Sequence, residues 1–154
     1  MGIEIEKKFL VKNSEWRKNS DGILFRQGYL STVKERTVRV RTINDKGFLT
    51  IKGINIGATR AEYEYEISVS DANEMLDSLC EKPIIEKKRH KIEFRNLIWE
   101  VDEFFGENKG LIIAEVELGS EDQEIHFPDW IGKEVTGDAR YFNSNLIKNP
   151  FKNW

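Results

Sequence analysis

Polar and apolar residues alternate through most of the chain. In the opening stretch MGIEIEKKFLV, Glu4, Glu6 and Lys8 alternate with Ile3, Ile5 and Phe9. Successive side chains of an extended strand point to opposite faces, so the three charges share one face and the aliphatic residues the other. The same period recurs in seven further segments and predicts strands over 2–11, 24–33, 36–43, 46–54, 60–69, 84–95, 97–105 and 111–119. Asn44-Asp45-Lys46-Gly47, Arg95-Asn96-Leu97 and residues 106–110 carry turn-forming types, which makes most neighbouring strands antiparallel. A helix is predicted over 71–80, with Asp71 as N-cap, Glu74 completing a capping box, Met75, Leu76 and Leu79 as the apolar stripe, and Pro83 beyond its end. In the less periodic tail, residues 128–132 read as a turn and 138–148 as a short helix.

Parity places like charges side by side. Arg39 and Arg41 alternate with Val38 and Val40, Lys52 follows Thr50, and Arg60, Glu62 and Glu64 stand opposite in parity to Tyr63 and Tyr65. Lys87 and Arg89 share a face, Asp102 alternates with Val101, and Glu115 and Glu117 alternate with Ala114, Val116 and Leu118. With Glu66 and Glu100 set aside as peripheral, seven acids and seven bases fall on one sheet face. Like charges two residues apart repel unless something lies between them. A solvated flat sheet would screen them. If the eight strands close into a barrel, these side chains line its interior, which has room for packed side chains or one small ligand. Clustered carboxylates suit hard divalent cations and clustered arginines and lysines suit phosphate oxygens, so a metal-bound polyphosphate answers both. The apolar face then points outward, and the two predicted helices are the candidates to cover it.

Composition narrows the classes. A chain of 154 residues, 39% hydrophobic and 33% charged, fits a single domain over 1–154 with a sizeable core. The net charge of -3, from 24 basic and 27 acidic residues, argues against a nucleic-acid binder that works by bulk positive charge. Cys80 is the one cysteine, and no Cys/His spacing suits zinc, so any metal would have oxygen ligands. No apolar run is long enough to span a bilayer and no secretory signal pattern opens the chain, so a cytoplasmic protein without a membrane partner is expected.

The ordered set of motifs resembles the CYTH superfamily, the triphosphate tunnel metalloenzymes, and within it the small single-domain inorganic triphosphatases. The resemblance rests on the ExExK motif at Glu4, Glu6 and Lys8, then RVR at 39–41, LTIKG at 49–53, RAEYE at 60–64, KKR at 87–89, WEVDEF at 99–104, AEVEL at 114–118 and EVTGDARYFN at 134–143. It implies a mainly β fold, an eight-stranded antiparallel closed barrel with a polar charged interior and a few helices packed outside. It also implies a small-molecule triphosphate as substrate and Mg2+ or Mn2+ as cofactor, two per active site during turnover.

Carried over by motif position, Lys8, Arg39, Arg41, Lys52, Lys87 and Arg89 bind phosphate oxygens, and Glu4, Glu6, Glu62, Glu64, Asp102, Glu115 and Glu117 bind metal directly or through water. Lys8, Glu4 and Glu6 are the catalytic candidates, with Lys8 either a phosphate ligand or a group that orients or deprotonates water. Arg60 either reaches phosphate or orients Glu62 and Glu64. Arg140, with Asp138, either closes the tunnel mouth or caps and pairs on the last helix. Tyr29 either hydrogen-bonds within the tunnel or packs. The expected reaction is metal-dependent hydrolysis of inorganic tripolyphosphate to orthophosphate and diphosphate. Trp16, Trp130 and Tyr141 near a tunnel mouth would instead favour thiamine triphosphate or a nucleoside triphosphate. Adenylyl cyclase activity and polyphosphate binding without turnover are the remaining alternatives.

Overall fold

The computed structural model describes residues 2–18 and 20–154; Met1, which opens the first charged stretch, and Asn19 lie outside the described residues. The strands are β1 (Ile3–Val11), β2 (Ile23–Ser31), β3 (Thr37–Ile43), β4 (Lys46–Lys52), β5 (Thr59–Ile67), β6 (Ile85–Phe94), β7 (Leu97–Phe104), β8 (Ile112–Glu117) and β9 (Ile131–Glu134), with helices α1 (Val69–Ser78) and α2 (Asn143–Leu146). Neighbours run β5-β4-β3-β2-β6-β7-β8-β1, and β1 pairs back onto β5. Every pairing is antiparallel. The eight strands therefore form a closed barrel, the outcome that the motif resemblance implies and that alternation by itself left open against a flat sheet.

β1 divides one of its edges between two partners. Residues 3–5 pair with β5, residues 9–11 pair with β9, and the opposite edge runs along β8. β9 lies where the sequence predicts only a turn at 128–132, because four residues around Gly132 carry no alternation. Glycine is suited to that position: a Cβ there would lie 3.1 Å from the Leu10 carbonyl oxygen.

α1 begins two residues before the predicted start. Ser68, not Asp71, is the N-cap, and its Oγ accepts from the Asp71 backbone N–H at 3.0 Å. The helix lays Ala72 and Leu76, with Cys80 beyond its end, on Val40 of the barrel's outer face. It approaches closely because β2 and β4 present glycines there: a Cβ on Gly28 would lie 2.8 Å from Cys80 Cβ, and one on Gly47 2.8 Å from Ala72 Cβ.

A second outer core, centred on Phe9, Trp99, Val101, Val116 and Trp130, is covered by the segment leading into β9 rather than by a helix. The C-terminal segment does something else. Ile85, Phe104 and Ile113 have the inward parity of Lys87, Asp102 and Glu115, and Tyr141, Leu146 and Ile147 pack against them. Instead of one outer helix over 138–148 there is a single 3-10 turn at Ala139–Tyr141 followed by α2, and together they plug one end of the barrel. The charged interior thus rests on an apolar floor. Among the described residues, no helix is long and apolar enough to cross a membrane.

Candidate active site in the barrel interior

Above that floor, the barrel encloses a cavity of about 220 Å³. Every residue of the sequence-predicted set lines it except Asp102 and Arg140. Strand register decides which charges meet. Lys52 stands opposite Glu62, Arg89 opposite Asp102, and Lys8 opposite Glu115. Lys52 Nζ lies 3.0 Å from Glu4 Oε2 and 3.3 Å from Glu62 Oε2, and Arg60 Nε reaches Glu4 Oε1 at 3.3 Å. On the next wall, Arg39 and Arg41 share Glu64 at 3.4 and 3.2 Å, and Thr50 Oγ1 donates to the same carboxylate at 2.8 Å. Arg89 bridges to Asp102 and Glu115, each at 2.8 Å, and Lys8 Nζ lies 3.3 Å from the other oxygen of Glu115.

Asp102 sits behind the cavity wall, 1% exposed, where Lys87 Nζ donates to it at 2.7 Å and Arg89 grips both of its oxygens. Arg140 is outside the tunnel. It pairs with Asp138 at 2.9 Å and lies over the rings of Tyr141 and Trp154. Trp16, Trp130 and Tyr141 are not at a mouth either; all three are buried in the apolar cores.

This arrangement has close counterparts. A family model described as the CYTH domain matches residues 2–148. The chain belongs to the CYTH family. Over all 154 residues it is 58% identical to an inorganic triphosphatase of Acetivibrio thermocellus, covering 99% of that protein. It is 38% identical over 151 residues to an inorganic triphosphatase of Nitrosomonas europaea, with 93% of this chain and 95% of that one covered. A solved structure of an inorganic triphosphatase superposes with a TM-score of 0.66 at 34% identity, over 93% of this chain and 96% of that one.

The electrostatics of this CYTH tunnel fall into paired and unpaired groups. Burial opposes ionisation of Glu4, but Lys52, a hydrogen bond with Glu62 and the Arg60 guanidinium hold its pKa down to about 2. Burial likewise works against Glu115, yet Lys8, Arg89 and Lys87 hold it well below the usual carboxylate range. Glu6 goes the other way: burial, then the charges of Glu115 and Glu4, push it well above that range. Glu117 is raised by burial, Glu4 and Glu100. Burial lowers Lys87 to about 8 despite Asp102, and burial with Arg39 and Arg89 lowers Arg41 to about 10.

Among the described residues, no three carboxylate, imidazole or thiol groups converge on one point, since several acids are drawn to bases. The donor set nonetheless fits a hard cation. Glu6 and Glu117, opposite one another, are oxygen donors whose charge is disfavoured by neighbouring acids, and Glu62 is raised by burial and by Glu4.

Several residues in or beside the cavity have no role in the sequence reading. Phe25 shares inward parity with Tyr29 and stacks its ring 5.0 Å from the Arg89 guanidinium and 5.3 Å from that of Arg41. Glu100, set aside as peripheral, lines the cavity and meets Arg89 at 3.3 Å. Phe142, Asn143 and Ser144 form part of its wall. Period-two counting applied to β2 finds Phe25; Phe142 and Asn143 end the motif at 134–143 but take no role there, and Ser144 lies just beyond it.

Proposed function

We infer that this protein is an inorganic triphosphatase, a phosphoanhydride hydrolase that cleaves tripolyphosphate to diphosphate and orthophosphate. The observation that carries this reading is a densely charged cavity inside the barrel of a chain that matches an inorganic triphosphatase along its full length. The burial of Trp16, Trp130 and Tyr141 favours an inorganic substrate, because none of these rings is free to stack on a base or a thiazolium.

Phosphoryl transfer needs charge neutralisation and in-line positioning more than a covalent nucleophile. Arg39, Arg41, Lys52, Lys87 and Arg89 hold the phosphate chain and stabilise the leaving diphosphate. Water attacks the terminal phosphorus, the bond to the bridging oxygen breaks, and its electron pair leaves on diphosphate. Lys8 binds phosphate and orients water rather than deprotonating it: burial pushes its ammonium down, but Glu115 and Glu6 outweigh this and hold it above the ordinary lysine value. Arg60 contacts Glu4 and orients it. Glu4, Glu6, Glu62, Glu64, Glu115 and Glu117 are the groups that would hold two divalent ions, Mg2+ or Mn2+. When bound, these supply Lewis-acid charge to phosphate oxygens and acidify water. Asp102, whose oxygens are taken by Lys87 and Arg89, positions those two cations.

The test is orthophosphate release from tripolyphosphate, ATP and thiamine triphosphate side by side, with Mg2+, Mn2+ or chelator. Preferential, metal-dependent release from tripolyphosphate is expected. Preference for an organic triphosphate, cyclic AMP formation, or tight binding without turnover would each overturn the reading.

A further inference from the structure

The wall contributed by the C-terminal segment holds a neutral group among the charges. Asn143 opens α2 and lines the cavity. Its Oδ1 accepts from Lys87 Nζ at 3.1 Å and from Gln27 Nε2 at 2.9 Å. An ammonium can only donate, so the atom facing Lys87 must be the carbonyl oxygen, and the orientation of the carboxamide is settled by chemistry. Both lone pairs of Oδ1 are then used. The Nδ2 amino group has no protein acceptor among the described residues, and it is not among the buried polar atoms left without a partner. It therefore remains available to the cavity that Asn143 lines.

Gln27 is an unusual neighbour. It is fully buried on β2, and its own Oε1 has no partner. An apolar residue would suit that place better if packing were all that mattered. The bond from Gln27 to Asn143 gives the glutamine a purpose.

Building on the triphosphatase reading, we propose that Asn143 is a further substrate-binding residue, donating from Nδ2 to a phosphate oxygen beside Lys87, and that Gln27 is the positioning residue that aims it. Asn143 adds a donor where another cation would repel Lys87 and Arg89.

The alternative is that Asn143 merely steadies Lys87, and a double-mutant cycle separates the two. Affinity for tripolyphosphate is read by calorimetry with chelator present, and KM and kcat in the same variants with divalent metal. Asn143→Ala is expected to weaken binding by about tenfold or more in the parent and by a similar factor in a Lys87→Met background. No further loss in the Lys87→Met background would overturn the proposal. Asn143→Asp, which keeps the acceptor for Lys87 and Gln27 but removes the donor, is expected to raise KM at least as much as Asn143→Ala with the thermal midpoint retained. An unchanged KM in that variant would also overturn it, and this arm stands even if Lys87→Met fails to fold. Gln27→Leu should raise KM in the parent and have no effect once Asn143 is alanine. An effect that persists there would mark Gln27 as structural only. A parent that binds tripolyphosphate without hydrolysing it would sink the triphosphatase reading while the affinity measurements still judge Asn143.

Discussion

Glu6 and Glu117 stand directly opposite each other on β1 and β8. Like charges so placed destabilise a sheet, and burial together with other acids raises the pKa of both groups. The folded state therefore holds these protons more tightly than the unfolded chain does. Such groups subtract stability as the pH rises past the ordinary glutamate value. Glu117→Gln removes that subtraction. Its thermal midpoint at pH 8 should equal or exceed the parent's, while metal-dependent phosphate release falls by about a hundredfold or more, the scale of losing one electrostatic contributor to a transition state. Thermal melts and phosphate assays on the same preparation check both halves.

Lys8 is held in its charged form by Glu115 and Glu6 against burial. As a ligand it should cost binding when removed: Lys8→Met is expected to raise KM for tripolyphosphate by about tenfold or more. The acid limb of the kcat/KM profile should persist in this variant, because a permanently charged ammonium does not produce it. Disappearance of the limb would make Lys8 the base.

Burial outweighs the pairing of Lys87 with Asp102 and lowers its ammonium to about 8. Its charge is present below that value and lost above it, so kcat/KM should decline as the pH rises through about 8. Asp102 supports the charged form, so Asp102→Asn should move the break to lower pH. A break that stays in place would dissociate it from Lys87.

Leu76 is fully buried where α1 meets the barrel, far in character from the charged interior. Leu76→Ala should cost about 2–5 kcal/mol of unfolding free energy, measured by urea denaturation, with kcat at 25 °C within about twofold of the parent while the protein remains folded.

The strands and their two faces were legible because an antiparallel sheet leaves the same mark on every strand, while closure into a barrel was implied by the motif resemblance and not by the alternation. Val40 and Val101 go out, Arg39, Arg41 and Asp102 go in, and the inward set is too charged for an ordinary core. Most of the candidate residues line the cavity for the same reason: they are charged and inward. What the rule could not supply was depth. Ile85, Phe104 and Ile113 are also inward, and only the packing of Tyr141, Leu146 and Ile147 against them makes that end of the barrel an apolar floor. Asp102 passes the parity test yet lies behind the wall, because Lys87 and Arg89 use its oxygens fully. Arg140 matches a motif but follows a local partner, Asp138, two residues away. Asn143 ends the motif at 134–143 yet receives no role, because a neutral side chain outside the alternating strands acquires its meaning only from what Lys87 and Gln27 do around it.

The divided edge of β1 also fixes an order in time. Residues 3–5 require β5, and residues 6–10 require β8, whose pairing extends to Glu117. During synthesis β1 precedes β8 by more than a hundred residues and must wait for them before both of its sides are paired. Such long-range closure comes late in folding. Glu4, Glu6 and Lys8 therefore gain their enclosed surroundings only when β5 and β8 are both in place beside β1. The wall carrying Arg39, Arg41, Lys52, Glu62 and Glu64 is built from the consecutive pairings β2–β3–β4–β5 and needs no such wait, so the two halves of the charged interior differ in the chain length each requires.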